Sequence, residues 1–273
     1  MELHDLPDIS YGTIDQGYAE HFATIDPQDD GPIWMVNLMR YRERAVYADG
    51  RETDLTGKQA DDTYAPLGPL ATIGAELVFV SDVDQQLVGE DQTWDRIGVV
   101  RYPSRRAFLE MQMLPDYQEL HVHKEAGMAS TIIVGCQPAE IPDLPGDAPA
   151  LDAVPHPSTP EDGPVVILHL LRYHDGSRDE GLEVYQGDAG RIALPHGVRI
   201  SAWLDVEGTI VGDGRSWDEV RFHTFPSRAA FEAVAFDPDR IAAQMTTHDP
   251  VVADTYTMVL RPFFDRLAES IPS

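Results

Sequence analysis

"GPIWMVNLMRY", residues 31–41, recurs further along the chain as "GPVVILHLLRY", residues 163–173. Six of the eleven positions differ, and five of these exchange one apolar residue for another. Only one difference changes polar chemistry, because Asn37 of the first copy corresponds to His169 of the second. Each phrase is a short apolar run that begins after Gly-Pro, which is typical of a β-strand and too short for a helix. The same strand therefore occurs twice.

The repetition extends beyond this strand. Residues 74–89 align with 197–212, and residues 94–108 align with 217–231 at the same spacing of 123, with seven identities in the fifteen positions of the second block. The opening phrase repeats at a spacing of 132, so the first copy carries nine extra residues, which we place in the polar stretch 42–62. Self-similarity on this scale predicts a tandem duplication.

Each copy predicts the element order β-α-β-β-α-β, which is the ferredoxin-like arrangement of the α+β fold class. We place the first repeat at 31–138 and the second at 163–265, with an N-terminal extension at 1–30 and a tail at 266–273. Residues 139–162 contain six prolines and no lysine or arginine, which predicts a semi-rigid linker. An antiparallel sheet with both helices on one face leaves its other face bare. We therefore expect the two sheets to pack face to face as an intramolecular α/β barrel.

Composition excludes several classes of partner. The 273-residue chain has a formal net charge of −27, which repels nucleic-acid phosphates and anionic lipid. Its start does not resemble a secretory signal, and no apolar run approaches the ~18 residues of a membrane span. The single Cys136 excludes a disulfide framework within the chain and favours a buried thiol. We predict a cytoplasmic protein that binds neither nucleic acid nor membrane.

The strand 31–41, the block 94–108 and "LPDYQELHVHKEAG" (114–127) resemble the dimeric α/β-barrel superfamily, in a branch of domains of unknown function. The resemblance is close over about residues 15–138 and looser over 160–265. Members are usually single-copy homodimers, so the resemblance implies a fused pseudo-dimer and leaves further homo-oligomerisation open. Better-known relatives include cofactor-free monooxygenases of aromatic substrates, lactone isomerases, polyketide cyclases and haem-binding enzymes. The resemblance implies a small organic ligand, held between helices and sheet or inside the barrel.

Two residue pairs are candidates for chemistry. In a ferredoxin-like sheet strand one lies antiparallel to strand three, so His169 and Asp218 would face each other across these strands, as would Asn37 and Asp95. A carboxylate that orients an imidazole makes a general base. We predict that His169 acts as the base and Asp218 as its orienting group in a cofactor-free isomerisation or cyclisation inside the barrel. Asn37 and Asp95 would bind substrate.

Further substrate contacts are predicted outside these pairs. Arg40 and Arg172 end their strands, where a guanidinium can clamp a carboxylate. His123 would reach the cavity of the first copy from its helix. His121 and His123 are two residues apart and point to different faces of that helix, so they do not share a metal. We predict no metal site and no cofactor.

Several of these positions also have a non-catalytic interpretation. His169 can be a hydrogen-bonded core histidine, and Asp95 and Asp218 can accept bonds from backbone donors at the barrel rim. Arg40 and Arg172 can pair with nearby acids. The protein would then be a carrier or sensor of an apolar ligand, or a scaffold whose cavity is packed shut.

Overall fold

The computed structural model describes residues 9–89, 91–141, 149–177 and 182–272. The parts of the predicted extension and linker at 1–8 and 142–148 lie outside the described residues. The strands are β1 (Thr13–Ile14), β2 (Ile33–Tyr41), β3 (Glu76–Val88), β4 (Arg96–Tyr102), β5 (Met128–Pro138), β6 (Val165–Tyr173), β7 (Arg199–Gly212), β8 (Glu219–Phe225) and β9 (Val252–Asp265). The helices are α1 (Gln16–Thr24), α2 (Gly57–Tyr64), α3 (Leu67–Thr72), α4 (Arg105–Gln112), α5 (Pro115–Gly127), α6 (Leu182–Ala193), α7 (Arg228–Ala235), α8 (Pro238–Ala243) and α9 (Leu267–Ser270).

Eight of the strands close into an antiparallel barrel. Strands β2 to β5 lie in the order β5-β2-β4-β3, and strands β6 to β9 repeat that pattern as β9-β6-β8-β7. The two halves join where β3 pairs with β9 and where β5 pairs with β7. The predicted α+β class is confirmed as an eight-stranded antiparallel barrel with helices outside. The tandem duplication remains an inference from the repeated sequence.

Side-chain alternation divides each apolar strand between two cores. In β2, Trp34, Val36 and Leu38 belong to the cluster inside the barrel, whereas Ile33 and Met35 belong to the cluster under the helices. Successive side chains of a strand point to opposite faces. Because both faces of these strands are covered, the repeated phrase is apolar almost throughout instead of alternating with polar residues.

The barrel interior is filled by side chains from both halves. The ring centroids of Phe79 and Phe222 lie 5.3 Å apart, edge to face, across the boundary between the halves. Val36 and Leu168, one from each half, are completely buried in the same cluster. This packing corrects the expectation of a ligand site inside the barrel. Two cavities lie between sheet and helices instead.

Both ends of the described chain reinforce the barrel. β1 pairs with β7, so the N-terminal segment crosses onto the second half. At the other end, the indole Nε1 of Trp34 donates to the Ser270 hydroxyl at 2.9 Å, and Leu267 joins the interior cluster. Within the described residues, no helix has both the length and the apolar character needed to cross a bilayer.

Contact between Phe79 and Phe222 predicts non-additive stability changes. We expect Phe79→Leu and Phe222→Leu, measured by urea unfolding, to show a coupling of about 1 kcal/mol in a double-mutant cycle. Phe108 packs in the outer core of the first half, so Phe79→Leu and Phe108→Leu serve as the additive control. Additive losses for the Phe79 and Phe222 pair would contradict a shared interior.

Candidate functional site

Two cavities lie between the outer face of the barrel and its helices, one in each half. The first-half cavity has a volume of about 320 Å³ and lies between the β2–β4 side of the sheet and helices α2 to α5. The second-half cavity has a volume of about 750 Å³ and lies between β6 and β8 and helices α6 to α8. Both volumes are typical of sites for small molecules.

The two residues that distinguish the repeated strands occupy the same place in the two cavities. Asn37 lines the first-half cavity opposite Gly98 of β4, and His169 lines the second-half cavity opposite Arg221 of β8. The amide nitrogen of Asn37 donates to the carbonyl of Met35 at 3.0 Å. The one polar exchange in the repeated phrase therefore changes the chemistry of a cavity wall.

His169 is held by a hydroxyl group. Its Nδ1 and the hydroxyl of Thr257 lie 3.1 Å apart in a hydrogen bond, and its ring centroid lies 5.4 Å from that of His223. Desolvation, followed by the proximity of His223 and Arg221, lowers the pKa of His169 well below its ordinary value. The imidazole is therefore neutral at physiological pH, and the described residues include no hydrogen-bond partner for its Nε2.

The structure does not bring His169 and Asp218 together. The strand register places Arg221 opposite His169, while Asp218 precedes β8 and its Oδ2 accepts the backbone N–H of Tyr173 at 2.7 Å. Asp95 accepts the N–H of Tyr41 in the first half at the same distance. These carboxylates bind the backbone at the ends of β6 and β2, as in the non-catalytic interpretation. The prediction that Asp218 orients His169 is wrong, because the Asp218 carboxylate is bound to the backbone at the end of β6.

The other predicted contacts also lie outside the cavities. Arg40 is exposed, and Arg172 forms an ion pair with Asp254 at 3.9 Å between Nη2 and Oδ2. His123 hydrogen-bonds through Nδ1 to the Tyr47 hydroxyl at 2.7 Å and does not line the first-half cavity. The helical repeat explains the error, since a residue two positions from a cavity-facing residue lies on a different face of the helix.

The polar end of the second-half cavity is built around an arginine. Arg221 is buried and forms a salt bridge with Glu219, and its Nη2 donates to the Tyr173 hydroxyl at 2.9 Å. Its guanidinium carbon also lies 3.9 Å from the centre of the Trp203 ring. Desolvation, then Arg221 and Arg240, lowers the pKa of His223 to about 3. Arg221 is thus fixed beside neutral imidazoles.

The first-half cavity contains polar groups that sequence reasoning missed. On α5, Tyr117, His121 and Lys124 are all buried and all line the cavity. The hydroxyl of Tyr11 shares a hydrogen bond of 2.9 Å with Nε2 of His121. Desolvation, followed by the charge of Lys124, lowers the pKa of His121 to about 4. The spacing of four and then three residues was the available signal, because it marks one face of a helix.

A buried carboxylate completes this set. Asp61 of α2 accepts the Tyr41 hydroxyl at 2.6 Å and lies 3.3 Å from Nη1 of Arg96. Desolvation raises the pKa of Asp61 above its ordinary value, although both partners oppose that shift. Across the described ranges, no three histidine, cysteine or acidic residues are grouped so as to hold a metal ion.

Comparisons with known proteins support the fold. No family model matches the chain, and no curated protein matches it significantly. A Rhodopseudomonas palustris protein of unknown function, crystallised in methylated form, is 33% identical over 48% of this chain and 98% of its own, with a TM-score of 0.41. An anthrone oxidase-like protein is 16% identical over 86% of this chain and 92% of its own, with a TM-score of 0.52. A chlorite dismutase variant from Candidatus Nitrospira defluvii is 11% identical over 92% and 97%, with a TM-score of 0.47. The likeness to the anthrone oxidase-like protein supports the overall fold.

Removing either rim carboxylate tests its structural role. We expect Asp218→Ala and Asp95→Ala each to lower the free energy of unfolding by about 1–2 kcal/mol, because a strand-end N–H loses its acceptor. Urea unfolding provides the measurement. Asp175→Ala, at an exposed position nearby, is the control. An unchanged stability of both variants would argue against this role.

The low pKa of His223 predicts destabilisation by acid. The unfolded chain takes up a proton at this histidine near pH 6.5, whereas the folded chain does so only near pH 3. The contribution of neutral His223 to the free energy of unfolding is therefore complete above about pH 6.5. It falls by about 2 kcal/mol between about pH 7 and about pH 5, because the unfolded chain gains a proton that the folded chain does not. His223→Gln should remove that share from the pH dependence of urea unfolding. Identical pH profiles for the variant and the original protein would contradict the assignment.

Proposed function

We propose that the chain binds a small organic molecule in the second-half cavity of its α/β barrel. The ligand has a mostly apolar body and a polar or anionic oxygen at one end. His169, His223 and Arg221 contact that oxygen. The observation that carries the proposal is the placement of His169 in the wall of a cavity of about 750 Å³.

The residues that line the second-half cavity support this class of ligand. Many apolar residues line the wall, among them Ile167 of β6, Ile200 of β7 and Phe231 of α7. Such a wall removes the apolar body of a ligand from water, and each buried Å² of apolar surface contributes roughly 25 cal/mol. Polar groups in the same wall then orient the ligand.

Neutral imidazoles suit an oxygen ligand in this acidic protein. His169 offers its Nε2 to a ligand, since its Nδ1 is bound to Thr257. Because His169 and His223 are neutral, neither places a further positive charge beside Arg221. Arg221, Arg228 and Arg240 all line the cavity and supply local positive charge, although Glu219 pairs with Arg221 and Glu232 with Arg228. A chain with a net charge of −27 would repel an anion at most of its surface, so this cavity is a favourable place for one.

A second candidate function is cofactor-free proton transfer by His169, as in an isomerase or cyclase. The observation that favours it is the hydrogen bond between Nδ1 of His169 and the Thr257 hydroxyl, which fixes the ring. In the tautomer whose Nδ1–H donates to that hydroxyl, the lone pair of Nε2 is free to accept a proton from substrate. A neutral imidazole can accept a proton from an acidic C–H or phenol. Thr257 takes the orienting role that the sequence assigned to Asp218. Without turnover, the same geometry serves a carrier or sensor.

Duplication accounts for both cavities in this proposal. Two copies of one unit, 31–138 and 163–265, close the barrel and each keep an outward cavity. The copies then differ at the cavity wall, with Asn37 in one and His169 in the other. We propose that the second copy specialised in binding an ionisable oxygen.

Binding of 8-anilino-1-naphthalenesulfonate tests the proposal, because this probe has an apolar body and an anionic head. We expect its fluorescence titration to show saturable binding to the original protein. His169→Leu should weaken that binding about tenfold, because a hydrogen bond to a charged group contributes about 1.5 kcal/mol or more.

Two variants control this experiment. Asn37→Leu changes the equivalent position of the first-half cavity and should leave the affinity unchanged, as should His174→Leu at an exposed position. Equal affinities for the original protein and His169→Leu would contradict the proposed site. A loss with Asn37→Leu alone would place the probe in the other half.

A further inference from the structure

Lys124 is a buried lysine in a cavity that the proposed function does not use. It is one of only two lysines in the chain, and its side chain lies in the wall of the first-half cavity with 7% of the residue exposed. Lysine is almost never buried to this extent unless it is paired. The residue therefore calls for a chemical explanation.

The ammonium group has aromatic neighbours instead of hydrogen-bond partners. Its Nζ lies 5.7 Å from the ring centre of Tyr11 and 5.3 Å from that of Tyr64. Within the described ranges, no group forms a hydrogen bond or ion pair with Nζ. Two carboxylates are near enough to influence it, but Asp61 is bound by Tyr41 and Arg96, while Oε1 of Glu125 accepts the N–H of Ser10.

This environment favours the uncharged amine. Desolvation lowers the pKa of Lys124, and the attraction of Asp61 and Glu125 only partly opposes that effect. A lower pKa raises the fraction of a lysine that carries a free electron pair on nitrogen, and this neutral form is the nucleophile. Lysines in such sites form imines with carbonyl compounds.

The cavity walls indicate which carbonyl compound fits. Flat aromatic rings surround a space of about 320 Å³, and these rings favour a planar π system in stacked or edge-to-face contact. The phenylalanine and tyrosine residues of the wall are Tyr11, Tyr64, Tyr102, Phe108, Tyr117 and Phe263. The space is at the small end of the range for ligand sites, which suits a single ring or a fused pair.

We propose that Lys124 reacts through its free amine with the carbonyl carbon of a small aromatic aldehyde or ketone in the first-half cavity. The electron pair of Nζ forms a bond to that carbon while the C=O π electrons move to oxygen. A proton passes from nitrogen to that oxygen to give a carbinolamine. Loss of water then leaves a C=N bond to Lys124, so that one carbonyl compound and one amine become one imine and one water.

A proton-carrying pair borders the amine. His121 lies one turn before Lys124 on the same face of α5, and its Nε2 is hydrogen-bonded to the Tyr11 hydroxyl. Because desolvation lowers the pKa of His121 to about 4, its imidazole is neutral and can accept a proton. This pair is suited to move protons during formation and loss of the carbinolamine.

Site-resolved reductive alkylation tests the inference on the full chain. The protein is incubated with benzaldehyde and cyanoborohydride at neutral pH, and peptide mass spectrometry measures the modification rate at each lysine. Lys58 is the internal reference, because it is half-exposed and paired with Asp82. Each unit by which a lysine pKa falls raises its neutral fraction about tenfold. Because burial lowers the pKa of Lys124, we expect Lys124 to be modified faster than Lys58, with a rate that saturates in benzaldehyde.

Variants and the pH profile complete the test. K124M should abolish the fast modification, whereas K58M should preserve it. The rate at Lys124 should reach its plateau below the ordinary lysine pKa of about 10.4. Two results with the original protein would overturn the inference. One is modification of Lys58 at a rate equal to or greater than that of Lys124, and the other is no modification of Lys124 in the folded protein. Because His169 lies in the other cavity, neither result affects the proposed binding function.

Discussion

Barrel closure depends on two backbone seams, β3 with β9 and β5 with β7. Without them each half would be an open sheet with unpaired edge strands and one bare apolar face. An exposed edge is a template for aggregation, and a bare face of this size is not stable in water. Each half pairs with the edge strands of the other half and covers its bare face. This constraint makes one chain of two similar halves a single structural unit.

The same constraint decides where ligands can bind. Large side chains from both halves fill the barrel interior, including Trp34, Phe79 and Phe222, so little space remains inside. The outer face of each sheet is covered largely by helices, and they pack against it less completely than the side chains inside the barrel pack against each other. Cavities therefore form there, one in each half. Asn37 and His169 belong to this outer face because they alternate with the interior residues of their strands.

Sequence patterns predicted the architecture well, because repetition and apolar periodicity are local signals. The two copies of the strand phrase, with the strand-to-helix blocks, gave the element order and the reason for the halves to pair. Sequence patterns did not show which side chains of each strand point into the barrel and which point toward the helices. An apolar strand covered on both faces has no polar alternation to show which face is inside, so His169 was placed in the barrel interior.

The candidate site was only partly predictable for related reasons. His169 and Asn37 were identified because they are the one polar difference between the two copies of the repeated strand. Asp218 was misassigned because its partner, the N–H of Tyr173, is a backbone group that a sequence does not display. Lys124 was missed because its importance depends on burial among rings from distant segments, such as Tyr11 and Tyr64. The i, i+4, i+7 spacing on α5 was visible but did not reveal which face meets the sheet.

Residue-by-residue hydrogen exchange in Leu168→Ala tests the shared barrel core most directly. Leu168 lies in the interior on the β6 side, and its truncation should cost about 2–5 kcal/mol. If the halves form one barrel, amides of β2 and β4 in the first half should lose as much protection as those of β6 and β8. A loss confined to β6–β9, with full protection retained in β2–β5, would contradict the account.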